Sequence, residues 1–242
     1  MPPAPRPAWA AWAPYLLVSA FHLGCQLLGA ETAGNWSKTL LMPALALVLL
    51  RALSTAKPAA QTAAQAAAQD RSARGSWLVP AAAALFFSWL GDLALLGSGE
   101  LWFLGGVAMF LVAQLSWITT FRRAGRRQLP RWLAVPYVAW WFGLVGFFVA
   151  VDGVQPILLA VGLYGLALGT MAYLAHRVSP MTAIGAASFL VSDSLIGLSG
   201  FAGVDLPGHG FWVMSTYLLG QGLIVAGLLA ATDEEEPVRS SA

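Results

Sequence analysis

Residues 76–131 read SWLVPAAAALFFSWLGDLALLGSGELWFLGGVAMFLVAQLSWITTFRRAGRRQLPR. Two apolar runs, 76–97 and 101–121, flank a short turn at Ser98-Gly99-Glu100, and an arginine cluster follows. Neither run alternates with period two, so each predicts a helix and not a barrel strand. At 1.5 Å per residue, about twenty residues cover the ~30 Å hydrocarbon layer. This stretch therefore predicts a transmembrane helical hairpin that begins and ends on one face of a bilayer.

Outward from the hairpin, similar runs fall at 9–29, 37–56, 132–151, 154–175, 180–203 and 210–231. The expected fold is all-α, an eight-helix transmembrane bundle forming one domain over 1–232. Residues 9–29 are longer than the about 7–15 residues of a signal-peptide core, which predicts a retained helix. The Ala/Gln-rich stretch 57–75 reads as a low-complexity linker or a frayed short helix, and 233–242 as a disordered acidic tail. With eight spans, twelve of the thirteen basic residues fall on the side of the termini, including Arg122, Arg123, Arg126, Arg127 and Arg131. Lys38 alone lies on the other side. The positive-inside rule then predicts cytoplasmic termini.

Composition agrees and excludes several classes. Charged residues make up 10% of the chain, against about 25% in soluble domains, and the mean hydropathy is +0.70. A net charge of +2 is no footprint for nucleic acid. The single Cys25 cannot form an intrachain disulfide or a CxxC centre. His22, His176 and His209 are the only histidines, and the last two fall at opposite ends of the bundle, so no metal site is expected. There is no G-x-S-x-G, Walker or G-x-G-x-x-G motif.

Two carboxylates remain inside the predicted spans, Asp92 in the third and Asp193 in the seventh. An ionisable group in lipid costs roughly 3 kcal/mol or more on insertion scales, so each is a candidate for function. Both fall ~20–24 Å from the start of their runs, on the side away from the termini, where they are expected to face one another across a polar pocket. The plain alternative is that each only bonds a neighbouring helix. His22 and Gln26, like Tyr217 and Gln221, are four residues apart and share a helix face. Gln114, Ser192 and Lys38 complete the candidate lining. For each, an interhelical hydrogen bond or, for Lys38, an interfacial anchor is the competing role. A short echo, FSWLGDLALL at 87–96 and FLVSDSLIGL at 189–198, suggests two parallel four-helix halves.

Two carboxyl groups in one low-dielectric pocket tend to hold different protonation states, the equipment of general acid–base catalysis. The same pair would serve a proton-coupled transporter, and these residues alone do not separate the two. The stretches SKTLLMP (37–43), FFSWLGDLALL (86–96), FLGGVAMFLVAQLSW (103–117), GAASFLVSDSLIG (185–197) and YLLGQGLIVAG (217–227) resemble, in order, the YhhN family of membrane lysoplasmalogenases.

That resemblance implies hydrolysis of the 1-alkenyl ether of a lysoplasmenyl lipid (choline or ethanolamine) to a fatty aldehyde and the glycerophospho-base, without cofactor. It implies Asp92 and Asp193 as the catalytic pair. Lys38 would hold the phosphate, while Tyr217 and Gln221 would orient water or the glycerol hydroxyl. Two departures stand out: Gln114 where the family commonly has His, and the length of the 57–75 linker. The Ala-, Arg- and Gly-rich composition suggests a high-GC bacterium, hence an inner membrane, and leaves another ether or vinyl-type lipid open as the substrate. Oligomeric state is not legible.

Overall fold

The computed structural model describes residues 9–55 and 64–233, with side chains over 10–52 and 76–231. The described residues form eight α-helices and no strand: α1 (Trp9–Leu28), α2 (Glu31–Thr55), α3 (Ala64–Ala94), α4 (Glu100–Ala124), α5 (Val135–Asp152), α6 (Ile157–Ala175), α7 (Pro180–Ala202) and α8 (His209–Asp233). All eight contain a stretch long and apolar enough to cross a membrane. The protein is an integral, multi-pass membrane protein.

The boundaries shift from the sequence reading where local chemistry outweighs hydropathy. Residues 64–75, part of the stretch read as a linker or a frayed short helix, are the first turns of α3. Alanine is the strongest helix former and glutamine a good one, so the helix extends past its apolar run. The α2 helix likewise starts at Glu31, six residues ahead of the apolar stretch. The turn expected at 151–154 lies at 153–156, where Gly153 takes the positive φ of 73° that ends α5. The acidic tail beyond Asp233 lies outside the described residues.

Helices α3 and α4, and α7 and α8, form the most extensive contacts, and α1 pairs chiefly with α2. Each helix of the sequence echo therefore packs on its successor. At the α7–α8 seam the backbones touch: a Cβ on Gly220 would stand 2.8 Å from the Phe189 backbone nitrogen, and one on Gly185 2.7 Å from that of Ile224. Without a hydrophobic drive between helices in lipid, such close approach supplies the dispersion contact that holds them. The α7 start is capped by Ser179, whose Oγ accepts the Thr182 N–H at 3.1 Å.

Two prolines inside helices determine how neighbours dock. Pro43 has no N–H, so the Thr39 carbonyl one turn earlier loses its helical donor. The indole Nε1–H of Trp89 on α3 donates to that carbonyl at 2.9 Å. Pro80 in α3 likewise frees the Ser76 carbonyl, and Arg123 of α4 donates to it at 2.7 Å. In lipid a freed carbonyl must find a protein donor. Each proline thus becomes a specific tie between α2 and α3 or between α3 and α4.

Candidate active site

The Trp89–Thr39 tie places two charged residues together. Lys38 precedes Thr39 on α2, and Asp92 lies about one turn after Trp89 on α3. Lys38 Nζ stands 3.5 Å from Asp92 Oδ1, with the two side chains 15% and 3% exposed. The second Asp92 oxygen accepts the Tyr217 hydroxyl of α8 at 2.8 Å. One turn earlier on α3, buried Ser88 accepts Gln221 Nε2 at 3.1 Å. Three candidate residues, Lys38, Tyr217 and Gln221, thus converge around Asp92 and its neighbouring turn.

Asp193 occupies different surroundings. It is half-buried, and Oδ2 accepts a hydrogen bond from the Tyr164 hydroxyl of α6. Next to it, Ser194 Oγ accepts the Trp140 indole N–H at 3.1 Å, which fixes α5 against α7. Asp193 lines a cavity of about 60 Å³ whose other walls include Phe110, Trp140, Tyr164, Leu168 and Phe201. That cavity shares Leu95, Phe103 and Phe201 with a vestibule of about 570 Å³ formed by the ends of α3, α4, α6 and α7 on the face away from the termini.

The two carboxylates lie within electrostatic range of each other. They do not, however, face one another across one polar pocket. Asp92 is not among the residues lining the Asp193 cavity. Phe110 stands at the boundary. It lines the Asp193 cavity, meets the Tyr217 ring edge-on at 6.0 Å, and occupies the space that a Cβ on Gly91 would need. Glycine at 91, with no Cβ, lets this ring pack directly on α3 next to Asp92.

The other candidates are placed as follows. His22 Nδ1 lies 2.9 Å from Ser37 Oγ and 3.2 Å from the Gly34 carbonyl, so it ties α1 to α2. Gln26 Nε2 is 3.4 Å from His22 Nε2, and its side-chain oxygen abuts Gly210 of α8. Ser192 Oγ donates to the Val213 carbonyl at 2.9 Å and braces α7 on α8. None of these three lines the Asp193 cavity. Gln114 is fully buried on α4, with its side-chain amide against the Tyr164 phenol. Among the described residues no three of His, Cys, Asp and Glu are grouped as metal ligands.

Sequence reasoning missed Tyr164, Trp140 and Ser194. A signal existed for Tyr164. Only five tyrosines occur in the chain, and a phenol in the middle of a span needs a partner in lipid. A single carboxylate in a nearby span was the natural acceptor.

No curated protein and no solved structure matches the chain. The model of the YhhN family matches residues 35–228, from the helix that carries Lys38 to the one that carries Tyr217 and Gln221, and the chain belongs to the YhhN family.

Proposed function

We propose that this protein is an intramembrane hydrolase that cleaves the 1-alkenyl ether of lysoplasmenyl phospholipids, with Asp193 as the proton donor. The observation that carries the reading is a carboxyl group at the wall of an apolar cavity that adjoins a vestibule on one membrane face. Family membership agrees with a membrane enzyme of this kind. The substrate would enter from the lipid layer with its head group in the vestibule, whose volume lies within the usual range for ligand pockets.

The vinyl ether carbon β to oxygen is nucleophilic. The Asp193 carboxylic acid gives it a proton, a C–H bond forms, and the double-bond electrons leave an oxocarbenium ion. Water adds to the cationic carbon, and its surplus proton returns to the Asp193 carboxylate. The resulting hemiacetal collapses to aldehyde and alcohol. Tyr164, donating to Oδ2, leaves Oδ1 to address the substrate. The Asp92 carboxylate acts at one remove, opposing the developing positive charge through its field while Lys38 and Tyr217 hold it in place. Lys38 as phosphate ligand would require its release from Asp92. The membrane is the bacterial inner membrane, with the termini cytoplasmic.

Aldehyde release from a 1-alkenyl lysophospholipid by purified protein is the test. Wild type should release it, and Asp193→Asn should lose at least about 10²-fold in rate with its thermal melt unchanged. Release by Asp193→Asn at the wild-type rate would remove the acid. No release by wild type, together with proton flux in liposomes, would favour transport.

A further inference from the structure

Apolar side chains and glycine backbone line the vestibule of about 570 Å³, and Glu100 is the only ionisable residue among them. Glu100 is exposed at the start of α4 and has no ion-pair partner among the described residues. The rings of Phe103 and Phe201 meet edge-on at 5.6 Å and line both the vestibule and the Asp193 cavity. The rest of this membrane face carries the same sign. Glu31 begins α2, Asp152 ends α5 and Asp205 lies between α7 and α8, all three exposed. The basic groups there are already answered, Lys38 by Asp92 and His209 by Asp205, each at 3.5 Å. A cleft with low-dielectric walls and one sign of charge concentrates that field on whatever enters it.

We infer that Glu100 is a specificity-determining residue of the vestibule: it receives a head group that ends in an ammonium, against the Phe103 and Phe201 rings, and turns away head groups that are anionic overall. The inference rests on the Asp193 cavity being where a lipid is cleaved. Aromatic faces attract a quaternary or primary ammonium, and a carboxylate at the mouth adds the opposite charge. A head group with no cation would bring its phosphate to this acid with nothing to offset the repulsion. The depths agree as well. Gly200 of the vestibule lies seven residues beyond Asp193 on α7, ~10 Å further out. A Cβ on Gly200 would touch the Phe103 ring at 3.2 Å, so the two are level, and Glu100 stands about one turn of α4 further out. In an ethanolamine or choline lysolipid, three glycerol carbons, a phosphate and two further carbons separate the ether oxygen from the nitrogen, an extended reach of about 11 Å. An ether placed at Asp193 therefore sets the ammonium between the two rings and Glu100.

An acid in the first turn of a helix also favours the helix itself. That role would act alike with every lipid, so the test is discrimination between head groups. The probes are two saturated 1-alkyl lysophospholipids, one with phosphocholine and one with phosphoglycerol, which have no double bond to protonate and so report binding without chemistry. Their affinities are read from the rise in melting temperature of the full chain in a neutral sugar detergent, each variant against its own unliganded melt. Wild type should bind the phosphocholine lipid more tightly. Glu100→Gln should weaken that lipid about fivefold and leave the phosphoglycerol lipid unchanged or tighter. Glu100→Lys should reverse the order. Equal affinities in wild type would overturn the inference, and so would a Glu100→Gln variant that weakens both lipids alike. If the preference is present but wild type releases no aldehyde from a 1-alkenyl lysophospholipid, the hydrolase reading fails and the head-group site stands. Aldehyde release at equal kcat/KM from phosphocholine and phosphoglycerol substrates would keep the hydrolase and overturn the role of Glu100.

Discussion

The indole N–H of Trp89 donates at 2.9 Å to the Thr39 carbonyl, the group that Pro43 leaves without its helical donor. One residue before Thr39 stands Lys38, and three after Trp89 stands Asp92, so this bond sets the register in which the buried ion pair forms.

Trp89→Phe should cost about 1–3 kcal/mol, the usual penalty for an orphaned buried carbonyl. Pro43→Ala in the same chain restores an N–H to the α2 helix and should recover most of that loss. Thermal melts of the two single variants and the double variant in detergent decide it. If the double variant melts no higher than Trp89→Phe, the carbonyl is not what Trp89 serves.

Lys38→Met leaves the Asp92 carboxylate buried without its cation. Breaking such a pair from one side costs about 3–5 kcal/mol in buried sites, and Lys38 is partly exposed, so the lower end is expected. Lys38→Met with Asp92→Asn removes both charges and should restore most of the stability. Losses that simply add would show that the two groups do not act as a pair.

Tyr164→Phe removes the hydroxyl that holds Asp193 Oδ2 and leaves the ring in its place. Aldehyde release should fall about tenfold, well short of the loss in Asp193→Asn, because the acid remains and only its orientation loosens. The change should appear in kcat and not in KM. A rise in KM alone would place Tyr164 in ground-state binding.

His176, just beyond the end of α6, accepts or donates at 2.8 Å with the Tyr137 hydroxyl. Burial, and secondly the positive charge of Arg127, hold its pKa below the usual value near 6.5. The unfolded chain then binds more protons than the folded one as pH falls below about 6.5. Stability is therefore full above that pH and declines as pH drops through the lowered pKa of His176. Melting temperatures between pH 5 and 8 should show the decline in wild type and a shallower one in His176→Gln. Identical slopes in both would assign the acid sensitivity to other groups.

Much was legible from the sequence because hydropathy is read residue by residue against a fixed membrane thickness. The eight spans, and Asp92 and Asp193 within them, follow from that comparison. Tyr217 and Lys38 stood out as candidates for the same reason, since few polar groups enter these spans. The 64–75 stretch stayed open between a linker and a short helix, because its composition suits both, and in the structure it is helical.

Only the tertiary structure decided which polar group answers which. Asp92 takes Lys38 and Tyr217, whereas Asp193 takes Tyr164, and Phe110 stands at the boundary between them. These pairings depend on the rotation and axial register of each helix, fixed by contacts such as Gly220 against the Phe189 backbone and Trp89 on the Thr39 carbonyl. A span that is apolar on nearly all sides carries no periodic signal to say which face turns inward, so that choice is made only when the helices pack.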